Sequence, residues 1–241
     1  MRTVLSVNIN KVALLRNSRE GNFPNLLQYA LDCEEYGADG ITVHPRPDER
    51  HIRYSDIPVL KQNITTELNI EGNPIDNFMK LVLDNKPAQC TLVPDDPSQL
   101  TSDHGWDTKK HKLFLKDICD QLRENNIRSS IFLDPDPKML EHCTEIGVDR
   151  IELYTGVYAK HFKNDEDAVG KELAKHREVA RLAANSGILV NAGHDLNLFN
   201  LRKYKEEIPQ LKEVSIGHAL TVDSIYFGLK NVISMYKSHL M

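Results

Sequence analysis

His44, Glu71, His194 and His218 are the side chains of this sequence best suited to moving protons. Asn8, Asn10, Asp134, Glu152 and Asn191 recur at matching places, each at or just past the end of a short β-branched run. Imidazole titrates near neutrality and a buried carboxyl can be driven there, so these groups gathered in one cleft would serve as general acids and bases. Singly, each has an ordinary explanation: a hydrogen-bonded histidine, or a solvated glutamate at a rim. Their repetition at strand ends is what carries weight. No nucleophile elbow, Walker loop or HExxH accompanies them.

The stretch His44-Pro45-Arg46-Pro47-Asp48-Glu49-Arg50-His51-Ile52-Arg53 adds a local cationic patch. Guanidinium forks match phosphate oxygens, and two prolines limit the freedom of the loop. The alternative is a surface turn whose arginines pair with Asp48 and Glu49. A second anion-receptive region is expected at Ala192-Gly193-His194 and Ile216-Gly217-His218, where glycine exposes backbone N–H groups and the N-terminus of a short helix favours negative charge. Two such regions flanking acid–base groups point to two phosphorylated substrates, or to one that is doubly phosphorylated.

Positioning these groups requires the elements around them. Strand-like runs fall at Val4–Ile9, Gly40–His44, Glu67–Glu71, Ala88–Pro94, Ser129–Asp134, Arg150–Thr155, Ile188–Ala192 and Glu213–His218. Helical periodicity falls between and after them, at Asn25–Tyr36, Ser55–Ile64, Ile75–Asp84, Lys109–Asn125, Lys138–Ile146, Asp165–Ser186, Leu198–Glu207 and Val222–Leu240. Eight βα units of about 30 residues each predict an α/β fold, a (β/α)8 TIM barrel with additional short helices, as one catalytic domain over residues 1–241. Gly37-Ala38-Asp39-Gly40-Ile41-Thr42-Val43 is echoed by Gly147-Val148-Asp149-Arg150-Ile151-Glu152-Leu153, as repetition of such units would produce. An open doubly wound sheet is the other candidate, but it would carry a glycine-rich fingerprint after the first strand, and none is present. Segments 10–24, 45–54 and 94–108 are long connections after strands, where binding loops and lids are expected.

Composition limits the partners. The 241 residues carry 30 Lys plus Arg against 35 Asp plus Glu, a net charge of −5, which provides no global field for nucleic acid or an anionic membrane. The longest apolar run is the four residues from Val12 to Leu15, far short of the roughly 20 needed to span a bilayer, so a soluble cytoplasmic protein is expected. Cys33, Cys90, Cys119 and Cys143 are widely separated and read as buried reduced thiols. The sequon at Asn63-Ile64-Thr65 matters only for a secreted chain.

Further motifs turn this general picture into a resemblance. Val7-Asn8-Ile9-Asn10 leading to Leu15-Arg16-Asn17-Ser18-Arg19, then Gly37 through Ile52, Leu68-Asn69-Ile70-Glu71, Thr91-Leu92-Val93-Pro94, Asn191-Ala192-Gly193-His194 and Ser215-Ile216-Gly217-His218, resemble the pyridoxine 5′-phosphate synthase family along nearly the whole chain. The resemblance implies a transferase of vitamin B6 biosynthesis on a TIM barrel, assembled as a homo-octamer and using no metal or organic cofactor. The reaction implied is condensation of 1-deoxy-D-xylulose 5-phosphate with 3-amino-2-oxopropyl phosphate to give pyridoxine 5′-phosphate, phosphate and water. It also implies acid–base roles for His44, Glu71 and His194. Contacts to the aminoketone phosphate fall on Asn8, Arg19, Asp195, Gly217 and His218. Contacts to the deoxyxylulose phosphate fall on Asn10, Lys11, Arg46, His51 and Thr101.

This chain departs from the family pattern at substrate contacts. Asn10-Lys11 stands where many members have Asp-His, Asp195 where many have Gly, and Pro45 where Leu is frequent. Asp195 is expected to turn away from phosphate and cap the next helix, given Asp195-Leu196-Asn197 before a helical run. Two other functions fit the residues: a metal-dependent sugar-phosphate epimerase or aldolase using His44, Glu71, His194 and His218 as ligands, and a non-catalytic phosphate-binding barrel.

Overall fold

Alternation of polar and apolar residues along the expected strands builds a barrel with a polar interior. The computed structural model describes residues 2–96, 99 and 102–241. Its strands are β1 (Val4–Asn8), β2 (Gly40–Val43), β3 (Glu67–Gly72), β4 (Gln89–Leu92), β5 (Arg128–Leu133), β6 (Arg150–Tyr154), β7 (Leu189–Gly193) and β8 (Leu211–Ile216). Each pairs in parallel with the next, and β8 returns to β1 to close the barrel. Leu5, Val7, Ile41, Val43, Leu68 and Ile70 are buried on one face of their strands, within the apolar core. Side chains at the intervening positions point the other way, toward the barrel axis. There Ser6 Oγ lies 2.6 Å from Thr42 Oγ1, Asn69 Nδ2 donates to Thr42 Oγ1 at 3.3 Å, and Thr91 Oγ1 donates to Asn69 Oδ1 at 3.0 Å. Nearer the N-terminal end, Arg150 pairs with Glu213 at 2.8 Å and Arg128 with Glu67. The interior is thus held by lateral hydrogen bonds and ion pairs, which satisfy polar groups that burial would otherwise penalise.

The helices are α1 (Asn10–Asn17), α2 (Leu26–Glu35), α3 (Asp56–Asn63), α4 (Asp76–Asn85), α5 (Lys112–Glu124), α6 (Pro137–Leu140), α7 (Cys143–Ile146), α8 (Gly156–His161), α9 (Glu166–Asn185), α10 (Leu201–Glu207), α11 (His218–Phe227) and α12 (Leu229–Leu240). Three starts follow capping chemistry: Asn25 accepts from Gln28 N at 3.1 Å, Asp136 from Lys138 N at 2.9 Å and Asp165 from Ala168 N at 2.9 Å.

Four features differ from expectation. Segment 10–24 is not all connection, because α1 forms in it and buries Val12, Ala13 and Arg16. The short α8 follows β6. Lys138–Ile146 divides into α6 and α7, the first started by Pro137 behind an Asp136 cap. Val222–Leu240 is two helices separated at Gly228, where φ is 77°. No helix among the described residues is long and apolar enough to cross a membrane. All four cysteines are free and buried.

Candidate active site

The C-terminal ends of the strands bring most of the expected residues to one mouth of the barrel. Asn8, the last residue of β1, donates through Nδ2 to Glu71 Oε2 at 3.5 Å, while Ser215 Oγ donates to Glu71 Oε1 at 3.4 Å; both are at the long end of hydrogen bonding. Asn8 Oδ1 accepts from Asn10 N at 3.1 Å, and Asn10 Oδ1 accepts from the backbone N of His44 at 2.9 Å. The amides at positions 8 and 10 therefore tie β1, β2 and β3 together around Glu71 and His44.

Burial and neighbouring carboxyls set the protonation of the centre. Glu71 is pushed up to about 8, chiefly by burial and then by the charges of Asp95 and Glu213. Glu152, buried on β6, is raised well above the ordinary carboxylate range by burial and then by Glu71 and Glu213. Glu71 and Glu152 thus titrate as a pair that holds protons at neutral pH. Glu213 is also raised by burial, against the pull of Arg150. His44 is held well below its ordinary value by burial and by Arg46, His51 and Arg50, so its ring is neutral. His51 falls to about 4 for the same reasons, with Arg46 and Lys11 the nearest charges. Its Nδ1 accepts from Ile52 N at 2.9 Å, and its ring lies 6.2 Å from that of His44.

The cationic loop after β2 is partly the internally paired turn considered as the alternative. Arg50 pairs with Asp48 at 2.7 Å, and Tyr54 N donates to Glu49 at 2.6 Å. Arg46 and Arg50 nonetheless bear on His44. For Arg53 the contact is through the backbone, N to Asp56 Oδ2 at 2.8 Å. A residue that sequence reasoning left without a role holds the loop: Arg16 of α1 is buried and donates to both oxygens of Asp56, at 2.7 and 2.9 Å, and to His51 O at 3.0 Å. Asn17 adds bonds to His51 O and Arg50 O, at 2.8 and 3.1 Å. The signal for this clamp was an arginine at the end of an apolar run, which reads as surface until its partner is known.

The second anion-receptive region is assembled from β7 and β8. Gly193 packs against the site so closely that a Cβ there would stand 2.2 Å from Glu152 Oε1, and one at Gly217 would come within 3.0 Å of Asn8. β8 passes through Gly217 directly into α11, whose first N–H groups lack intrahelical acceptors and favour an anion. His218 is the first residue of that helix and is exposed. His194 and Asp195 both have left-handed backbone, with φ of 85° and 60°. The helix-capping role expected of Asp195 is corrected here. Its carboxylate lies 3.1 Å from His194 Nδ1 and is held below the ordinary range by that contact, with the charges of His218 and Lys11 adding to the effect. The turn before α10 is closed by Asn197 instead, whose Oδ1 accepts from Phe199 N at 2.9 Å. The left-handed backbone turns Asp195 back toward its neighbour rather than onward to the helix. The ring of His194 rests edge-on against Tyr154, 5.1 Å between centroids.

One expected contact does not join this cluster: Arg19 is exposed and donates to Ser18 O at 2.9 Å. Thr101 lies outside the described residues. Among the described residues, no three His, Cys, Asp or Glu side chains are arranged to hold a metal ion, so His44, Glu71, His194 and His218 do not form the ligand set that an epimerase or aldolase reading requires. Glu152 and Asp95 are the carboxyls that gained importance with the structure. The first was visible as a strand-end acid, and the second follows β4 directly, opposite the cationic loop.

Comparison with known proteins bears on the fold and on the family. Among solved structures, 3-keto-L-gulonate-6-phosphate decarboxylase from Vibrio cholerae superposes with a TM-score of 0.67 at 10% identity, covering 100% of this chain and 98% of that one. The tryptophan synthase alpha subunit from Legionella pneumophila gives 0.63 at 11%, covering 99% of this chain and 92% of that one. At such identities the likeness is one of fold. Sequence relatives are far nearer. Pyridoxine 5′-phosphate synthase from Bacteroides fragilis is 54% identical over 236 residues, 98% of each chain, and that from Cytophaga hutchinsonii is 53% identical over 234 residues, 97% of each. The model of the family described as pyridoxal phosphate biosynthesis protein PdxJ matches residues 5–241, and with relatives at this identity along the full length, the chain belongs to the PdxJ family.

Proposed function

We propose that this protein catalyses the reaction of a pyridoxine 5′-phosphate synthase, joining 1-deoxy-D-xylulose 5-phosphate to 3-amino-2-oxopropyl phosphate and releasing pyridoxine 5′-phosphate, phosphate and water. The observation that carries the proposal is the gathering of Glu71, held by Asn8 and Ser215, and His44, held through its backbone N by Asn10, at the strand ends of one barrel mouth, with the imidazole neutral and the carboxyl proton-holding. Amine attack on the ketone carbonyl, loss of water, loss of phosphate and ring closure each need a proton delivered or removed, and no redox change. In this reading His44 serves the condensing carbonyl, Glu71 carries protons along the carbon framework, and His194 protonates the departing phosphate. Arg46, His51, Lys11, Asn10 and Thr101 receive the deoxyxylulose phosphate. Asn8, Asp195, Gly217 and His218 receive the aminoketone phosphate, with the Asp195 carboxylate drawn off by His194.

The protein is further proposed to act in the cytoplasm, a reading supported by four buried free thiols, and as a homo-octamer, supported by exposed Leu14, Leu15, Ile225 and Tyr226 on two adjoining helices. The direct test is chromatographic detection of pyridoxine 5′-phosphate when purified protein is given both substrates in chelator. Formation of the product at enzymatic rates is expected. No product, from protein that binds both phosphates, would overturn the assignment.

A further inference from the structure

Arg46 is already occupied by an anion of its own chain. Its Nη2 donates to Asp95 Oδ2, and its Nη1 donates to Gln99 O at 3.0 Å, an oxygen that Arg50 Nη1 also reaches at 3.0 Å. Arg46 and Asp95 are 4% and 3% exposed, so the pair is withdrawn from water. Ser102 Oγ donates to the same Asp95 oxygen at 2.8 Å, and Asn73 Nδ2 holds the Asp95 carbonyl at 2.9 Å. The other carboxylate oxygen, Oδ1, is buried without a hydrogen-bond partner among the described residues. A buried carboxylate that leaves one oxygen unsatisfied while pairing with the other is poorly compensated for its desolvation. It is therefore a weaker occupant of Arg46 than a dianion that brings several acceptor oxygens.

We propose that Asp95 is an internal competitor for the Arg46 site: it occupies the guanidinium until a ligand phosphate displaces it, and so lowers the affinity of every anion that must reach Arg46. This rests on the reading of Arg46 as a phosphate contact, made above. The exchange is one ion pair for another. Asp95 leaves Arg46 as the phosphate arrives, and no covalent bond is made or broken. A site filled by its own side chain binds external ligand with an affinity reduced by the fraction of time it is open, so removing the competing charge raises affinity even as it removes a contact seen in the fold. A residue that only braced the loop would have the opposite effect.

The test is calorimetric titration of the full-length protein with inorganic phosphate, sulfate and 1-deoxy-D-xylulose 5-phosphate, comparing wild type with Asp95→Asn. The expected result is inorganic phosphate and sulfate bound at least about fivefold more tightly by the variant, and the sugar phosphate by a similar factor, because one closed fraction lowers each affinity alike. Unchanged or weaker binding of inorganic phosphate by folded Asp95→Asn would overturn the proposal. Ser102→Ala gives a second route if Asp95→Asn does not fold. It loosens the same oxygen, and a gain of about two- to threefold is expected. Loss of affinity in that variant would also overturn it. Because inorganic phosphate binding is read without turnover, failure of this inference and failure of the synthase assignment give different results.

Discussion

At the level of single residues, the two carboxyls that share protons matter most. Glu71→Gln keeps the shape and hydrogen-bonding reach of the side chain but removes its ability to ionise. Turnover is expected to fall by about 10²- to 10⁴-fold, the range attributed to acid–base groups, while binding of either phosphorylated substrate changes little. A variant that keeps more than about a tenth of wild-type kcat would exclude the proton-carrying role. The same substitution has a signature in stability. The folded protein holds the Glu71 proton up to about 8, whereas the unfolded chain releases it near 4.5, so the folded form binds the extra proton between these values and loses stability as pH rises through them. Glu71→Gln lacks that loss, so the difference in Tm, variant minus wild type, should grow from pH 5 to pH 8. A difference that is flat with pH would mean that Glu71 is ionised in the fold. His44, Glu71, Glu152 and His194 were legible in the sequence because strand ends point to one mouth of a barrel. The Asp195–His194 contact and the Asp95–Arg46 pair were not, because each depends on where a loop side chain turns after its strand ends.

Among the elements, α1 does the most to shape the site and was the least expected. Its run of apolar residues is too short to announce a helix, and its stability comes from tertiary contacts: Val12 and Ala13 against the core, and Arg16 against Asp56. The strands, by contrast, were readable to within two residues at either end, because their alternation has to match a two-faced sheet that closes on itself. Helix ends at Gly228 and at Glu141-His142 divided what periodicity alone joined. Since Arg16 is 1% exposed and Asp56 is 15% exposed, Arg16→Met should leave the carboxylate of Asp56 without its partner and cost about 3 kcal/mol, at the lower end for a broken buried pair. It also frees His51 O, so the cationic loop should open to trypsin at Arg50 and Arg53 and KM for the deoxyxylulose phosphate should rise. If Arg16→Met kept wild-type Tm and resisted cleavage there, α1 would have no claim as a clamp on that loop.

For the molecule as a whole, the question is why α11 is apolar on so much of its surface. It runs from the anion-receptive Gly217 to Phe227, yet only Leu220 is buried, while Ile225 and Tyr226 are each 77% exposed. α1 packs beside it and leaves Leu15 59% exposed, so the two helices share an outward apolar face of a kind that monomers rarely display. One end of α11 thus borders the phosphate region, and the other bears the surface on which copies of the chain would meet. Assembly would fix the helix, and with it the N–H groups at its start. The double substitution Ile225→Asp with Tyr226→Asp places charge at the centre of that face, where like charges from facing copies are buried together. Light scattering should give a mass near eight chains of 27.5 kDa for the wild type and a smaller species for the variant, with circular dichroism unchanged. KM for the aminoketone phosphate should rise more than kcat falls, because the helix end is loosened while Glu71 and His44 are untouched. A monomeric wild type at micromolar concentration, or a variant of undiminished mass, would show that this face serves something other than self-association.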